Sequence, residues 1–252
     1  MTPAFYQRLP EELKRLADRI ETYCGFPIEV RVKPSVNRGS LQHTPGRMWI
    51  EVTTLAANRV TIPVLCHELC HAERYFPLKI PFMQFTSPRK IINSEGVSID
   101  AAENLDNMLE HIIVIREMKE RFGFSTDSAH VVNDLSRFPT YIDPFSRRCV
   151  LLANSALIHF HFPELRPTVD ELLLREGLVE VNRSYLNELE SSLNSKPRMV
   201  AALVDALQVD RSEVRLRIRD VVQNCDAECS LQEALDDEGG GRDAAGIRSS
   251  AQ

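Results

Sequence analysis

Long apolar runs are missing from this 252-residue chain. No stretch approaches the roughly eighteen apolar residues that a membrane-spanning helix needs, so no membrane partner is expected. An excess of positive charge is missing too. Thirty Lys and Arg against 36 Asp and Glu leave a net charge of −6. That excludes a global cationic field for nucleic acid or an anionic membrane and leaves only a local basic patch open. Cysteine is scarce, with six residues at positions 24, 66, 70, 149, 225 and 229. This is too sparse and irregular for a secreted disulfide scaffold, and most are expected to be buried thiols. The residues from Met1 to Arg8 lack the apolar core of a signal peptide, so the expected location is the cytoplasm. No internal repeat is present. A hydrophobic content of 43% suits one large domain or two small ones with an ordinary core.

Read in order, Pro10 to Tyr23 carries Leu13, Leu16, Ala17 and Ile20 on one side and charge on the other, which predicts an amphipathic helix ended by Gly25. Ile28, Val30 and Val32 alternate with polar residues as in a half-buried strand. Asn37 to Ser40 reads as a turn and His43 to Gly46 as a loop. Arg47 to Val52 reads as a second strand. It is either an ordinary interior strand or a sheet edge able to bind an extended peptide by strand addition. A helix is predicted from about Asn58 or Thr61 to Phe76, with Pro63 tolerated in its first turn. A connector from Leu78 to Pro88, a flap or a packed loop, leads to a long helix over about Val97 to Phe122, closed by Gly123.

The helix before Pro77 contains His67-Glu68-Leu69-Cys70-His71. Histidines four residues apart leave one helix face a turn apart and can close on a single metal ion. Glu68 is placed to take a proton from a water on that ion. A zinc hydrolase usually needs a third protein ligand and leaves one position open. Glu95, Asp100, Glu103, Asp106, Asn107, Glu110 and His111 are candidates. Glu110 is preferred because it lies between Met108-Leu109 and Ile112-Ile113, where an unpaired carboxylate would be costly. Glu103, near the helix start, is the main rival, although solvent and the helix dipole suit it there. Asn107 suits a role orienting a ligand. His111 is a ligand, a donor to the reacting oxyanion, or a satisfied core histidine. Tyr141 is a further candidate oxyanion donor.

Phe145 to Phe162 is a predicted helix whose His159 and His161 fall on different faces, which suits packing rather than a metal. Beyond Pro163 and Pro167 the chain reads as short helices over Val169 to Glu176, Asn182 to Leu193, Pro197 to Gln208 and Val214 to Gln223. The last two resemble a helix-turn-helix in outline. With Arg211, Arg215, Arg217 and Arg219 they suit either phosphate contacts with DNA or a solvated face. The tail from Asp236 has a disordered composition.

The motif followed by a helix bearing Glu103, Asp106-Asn107 and Glu110-His111 resembles the zincin metallopeptidases with a glutamate as third ligand. Within them it is similar to the ImmA/IrrE-type bacterial peptidases, including relatives found beside CBASS anti-phage operons. The resemblance covers about residues 46 to 122. It departs from the group's Glu-x-x-Ala-Asn context, since Glu103 is followed by Asn104-Leu105-Asp106-Asn107. The resemblance implies an α+β fold with a zincin-like metallopeptidase domain, expected over 1-166; the reading of the chain adds a helical region over 167-235 and a tail over 236-252. It also implies a bound Zn2+ and a cytoplasmic protease that cuts a repressor-like protein partner in a stress or anti-phage response. Some zincins are held inactive by a thiolate on the metal, for which Cys149 is the candidate here. The alternative is a regulator that senses DNA or a partner and uses the fold only as a scaffold.

Overall fold

The structure is a computed structural model that describes residue 1 and residues 6–33, 39–53 and 58–239. Asn37 and Arg38 of the expected turn and the tail from residue 240 lie outside the described residues. The fold is a mixed α+β arrangement. Its chain divides into two compact units that interleave along the sequence. Among the described residues, no helix is long and apolar enough to cross a membrane.

The first unit comprises Met1–Pro81, Val114–Thr126 and Ile218–Ala227. Helix α1 (Glu11–Cys24) buries Leu13, Leu16, Ala17, Ile20 and Cys24. Their spacing of three and four residues makes one apolar stripe. Gly25, with a φ of 75°, ends the helix in a left-handed cap. Strand β1 (Ile28–Lys33) pairs parallel with β3 (Arg47–Thr53). Strand β2 (Gly39–Thr44) pairs antiparallel with β3, so the order is β1-β3-β2. Ile28, Val30, Met48, Ile50 and Val52 are buried, as period-two alternation on one sheet face requires. On the other face, the Arg31 guanidinium lies 4.3 Å from the Trp49 ring centroid.

Two expectations change here. Strand β3 is central, which removes it as the edge that would accept a peptide; the outer strand beside it is β2. The residues read as turn and loop, Gly39-Ser40 and His43-Thr44, are that strand, and the turn is confined to Pro45-Gly46. Helix α2 (Asn58–Tyr75) carries Pro63 within it. It packs against α1, β2 and β3.

The second unit comprises Phe82–Ile113, Asp127–Arg217 and Glu228–Gln252. Strands β4 (Phe82–Phe85), β7 (Val214–Asp220) and β8 (Cys225–Ser230) form a sheet in the order β4-β7-β8. A small hairpin pairs β5 (Lys90–Ile92) with β6 (Ser98–Asp100). Helix α3 (Ala101–Phe122) is continuous and contributes its first part to this unit and its last part to the other. It begins after β6, later than expected, and the Asp100 carboxylate accepts the Glu103 N–H at its start. Helices α4 (Ala129–Arg137), α5 (Pro144–His161), α6 (Arg166–Arg175), α7 (Val179–Ser192), α8 (Lys196–Leu207) and α9 (Leu231–Gly239) follow. Helix α5 is buried on nearly every side from Cys149 to Ile158. An apolar pocket joins Leu105, Met108, Leu109 and Ile112 of α3 to Ala153 and Ala156 of α5, Tyr185 of α7 and Leu203 of α8.

The expected helix over Val214 to Gln223 is corrected to strand β7. Val214-Arg215-Leu216-Arg217-Ile218-Arg219 alternates apolar and basic residues, which is a period of two. The helix-turn-helix outline is therefore absent. Three of its four arginines meet acids, while Arg215 is exposed. Arg211 pairs with Asp205, Arg219 with Asp226, and Arg217 approaches Glu228.

Candidate metal centre

Helix α2 projects His67 and His71 from one face. Their Nε2 atoms lie 3.2 Å apart. Tyr75, one further turn along, stacks on His71 with ring centroids 5.8 Å apart and planes at 13°. Glu68 is only 7% exposed. Burial pushes its carboxyl up to about 8 from an ordinary 4.5, against the opposing effect of a hydrogen bond from the Leu41 backbone. A carboxylate this deep, with no cationic partner among the described residues, is held toward its neutral form.

The neighbouring face of α2 is structural. Cys66 and Cys70 are fully buried, and the Cys70 thiol is pushed upward by its hydrogen bond to Cys66 and by burial. Glu73 is 2.6 Å from Arg19 of α1 and 2.8 Å from Arg121 of α3. Arg74 faces Glu117 of α3 at 3.6 Å. These pairs, all within the first unit, tie the motif helix to α1 and to the last turns of α3.

His111 stands six residues before Glu117 on the same continuous helix. The metal-binding atoms of His67, His71 and His111 all lie within 4.8 Å of one another. Among the described residues they are the group of His, Cys, Asp or Glu with that property. Comparison with family models, with curated proteins and with solved structures finds no match. What the site does therefore has to be read from its own geometry and chemistry.

The three imidazoles fit a transition-metal ion. Tetrahedral coordination with Zn–N bonds of about 2.0–2.1 Å places ligand nitrogens about 3.3–3.4 Å apart. The His67–His71 separation of 3.2 Å is close to that without rearrangement. Three neutral imidazoles suit zinc, copper, iron or nickel rather than the hard oxygen-seeking cations.

Glu110, the preferred third ligand in the sequence reading, is not a member of this group and has a different partner. Its carboxylate, with no exposed surface, lies 2.7 Å from Lys196 Nζ. Lys196 also lies 2.8 Å from Asp106, which accepts the Met83 backbone N–H at 2.9 Å. The Asp106 carboxyl is pushed up by burial, against the pull of Lys196. The premise that an apolar setting demands a partner for Glu110 holds, but the partner is a lysine. Glu103 and Asn107 are exposed, and Asp100 caps α3. Tyr141 forms a β-bridge with Asn93. Its hydroxyl is pushed up by burial and by Asp134, and Glu95 lies in the same surroundings. Cys149 is fully buried, and burial pushes its thiol upward. That disfavours the thiolate a metal would need.

Three features of the site were not legible in the sequence. His130 of α4 meets the His111 ring edge-on at 6.2 Å and is itself flanked by Phe162 at 5.9 Å. No spacing rule marked it. Lys196 sits at the start of a different helix, far along the chain from Glu110. Gly39 and Leu41 lie in a strand that composition concealed. His161 has a packing role, as its position on α5 suggested, with Nε2 2.8 Å from the Ile112 carbonyl oxygen.

Proposed function

We propose that this protein is a zinc-dependent hydrolase acting on peptide bonds, with His67, His71 and His111 as metal ligands and Glu68 as general base. The observation that carries the reading is the convergence of the His67 and His71 Nε2 atoms on a helix whose intervening Glu68 is buried with no cationic partner among the described residues. A bound zinc ion would supply Lewis acidity, lowering the pKa of water toward ~7 and polarising a carbonyl.

The rest of the chemistry belongs to the chain. Glu68 takes the proton of the attacking water and passes it to the leaving amine. Burial holds its carboxyl protonated at neutral pH, and a dication held by His67 and His71 would favour the carboxylate. The basic form is thereby coupled to metal occupancy. Tyr75 limits rotation of the His71 ring, and the Leu41 amide holds the base. His111 replaces the glutamate that the resemblance to ImmA/IrrE-type peptidases implies as third ligand. The cytoplasmic, repressor-cleaving role in a stress or anti-phage response rests on that resemblance alone.

The test is metal analysis of purified protein together with hydrolysis of labelled casein. Glu68→Gln is expected to retain zinc and lose turnover by at least about a hundredfold. His111→Ala is expected to lose zinc affinity by more than about a hundredfold, since even residues supporting a ligand cost about 10–100-fold. Full activity in Glu68→Gln would remove the mechanism, and full zinc content in His111→Ala would remove the ligand assignment.

A further inference from the structure

Gly39 lies in strand β2, where a turn was expected, and its φ is not in the left-handed region that would call for glycine. Space explains it instead. A Cβ at this position would lie 2.6 Å from Val64 Cγ1 and 2.8 Å from Glu68 Oε1. Both are far inside the ~3.5–4.0 Å of ordinary carbon contact. Two residues on, the Leu41 backbone N–H donates to the Glu68 carboxylate. Among the described residues strand β2 is the outer strand of its sheet, so on its open side its backbone donors have no strand partner there to serve. It lies along α2 with Gly39 at Val64 and Glu68, Leu41 at Glu68, and His43 against Phe76 at 5.3 Å between ring centroids.

We propose that Gly39 and Leu41 are positioning residues for Glu68: the absent side chain at 39 admits the carboxylate against the strand, and the Leu41 amide fixes its orientation. This rests on the reading of Glu68 as general base. The two close approaches at Gly39 differ in kind. Val64 is β-branched and stiff, so a methyl group there pushes strand and helix apart, which is a packing effect. The Glu68 carboxylate ends a flexible side chain, so the same methyl group swings it away from the Leu41 amide. Val64→Ala relieves the first effect and leaves the second.

The full-length protein is compared as wild type, Gly39→Ala, Val64→Ala, Gly39→Ala/Val64→Ala and Glu68→Ala. Thermal stability and Leu41 amide hydrogen exchange are followed without metal. Acetohydroxamate binding is followed on the Co2+-loaded protein by absorbance. The double variant is expected to match Val64→Ala in stability, yet to exchange the Leu41 amide about tenfold faster and bind acetohydroxamate about tenfold more weakly than Val64→Ala, the loss of roughly one hydrogen bond. Glu68→Ala, which adds nothing at 39, is expected to accelerate Leu41 exchange to the same extent. It decides the matter if neither Gly39 variant folds. Unchanged Leu41 exchange in Glu68→Ala, or in the double variant, overturns the proposal. Wild-type acetohydroxamate binding by Glu68→Gln would instead overturn the general-base reading, with the Leu41 exchange still judging the positioning role.

Discussion

Two buried glutamates, Glu68 on α2 and Glu110 on α3, are set in apolar stretches of helix and face the same desolvation cost, yet they are stabilised in opposite ways. Glu110 has no exposed surface and is neutralised by Lys196, itself only 5% exposed. Glu68, 7% exposed, has one backbone amide and no cation among the described residues, and its carboxyl rises to about 8. A countercharge at hydrogen-bond distance makes a carboxylate a structural element. Leaving it without one, on the helix that carries two converging imidazoles, leaves it ready to exchange a proton. The difference lies in the partner rather than in the residue or its depth.

The comparison breaks first at Lys196. Lys196→Met is expected to destabilise the protein by about 3–5 kcal/mol, because it strands two buried carboxylates. Urea unfolding measures this, and adding Glu110→Gln and Asp106→Asn to the same chain should recover most of the loss. Recovery by neither would mean that Lys196 acts otherwise than as their counterion.

Glu68 predicts a pH effect of the opposite kind. Its folded-state pKa of about 8 lies above the ordinary 4.5, so between those values the native protein holds a proton that the unfolded chain has released. Stability without metal is then greatest below the lower value and falls as pH rises through the window. Between about pH 5 and 8 the loss should reach about 3 kcal/mol. The difference between wild type and Glu68→Gln isolates this carboxyl from the histidines, and equal slopes in the two proteins would refute it.

Smaller contrasts sharpen the ligand set. Glu110→Gln should leave zinc affinity within about threefold of wild type, whereas His111→Ala should lose more than about a hundredfold, or about 2.7 kcal/mol. Calorimetric zinc titration separates them. Glu103→Ala, at an exposed position, should change neither zinc affinity nor stability by more than about 0.5 kcal/mol.

Much of the local structure was legible. Helix α1 follows from its apolar stripe, β1 and β3 from alternation, and the placement of His67, Glu68 and His71 on one helix from spacing alone. Strand β2 was hidden because Gly-Ser-Leu-Gln-His-Thr is poor in β-branched and aromatic residues, and its pairing with β3 overrides that weak preference. Strand β7 was misread although its alternation was visible; its arginines suggested a basic helix face, and the acids of β8 that meet Arg217 and Arg219 could not be placed beforehand.

The sequence by itself determined the motif helix, the placement of its two histidines and Glu68, and the requirement that Glu110 have a partner, because those follow from helical spacing and from the cost of burying charge. Only the tertiary structure decided that the partner is Lys196, that His111 joins the histidine pair, and that Gly39 and Leu41 hold Glu68. Each of these joins residues far apart in the chain, and a side chain's partner across such a separation is set by packing, which no local periodicity encodes.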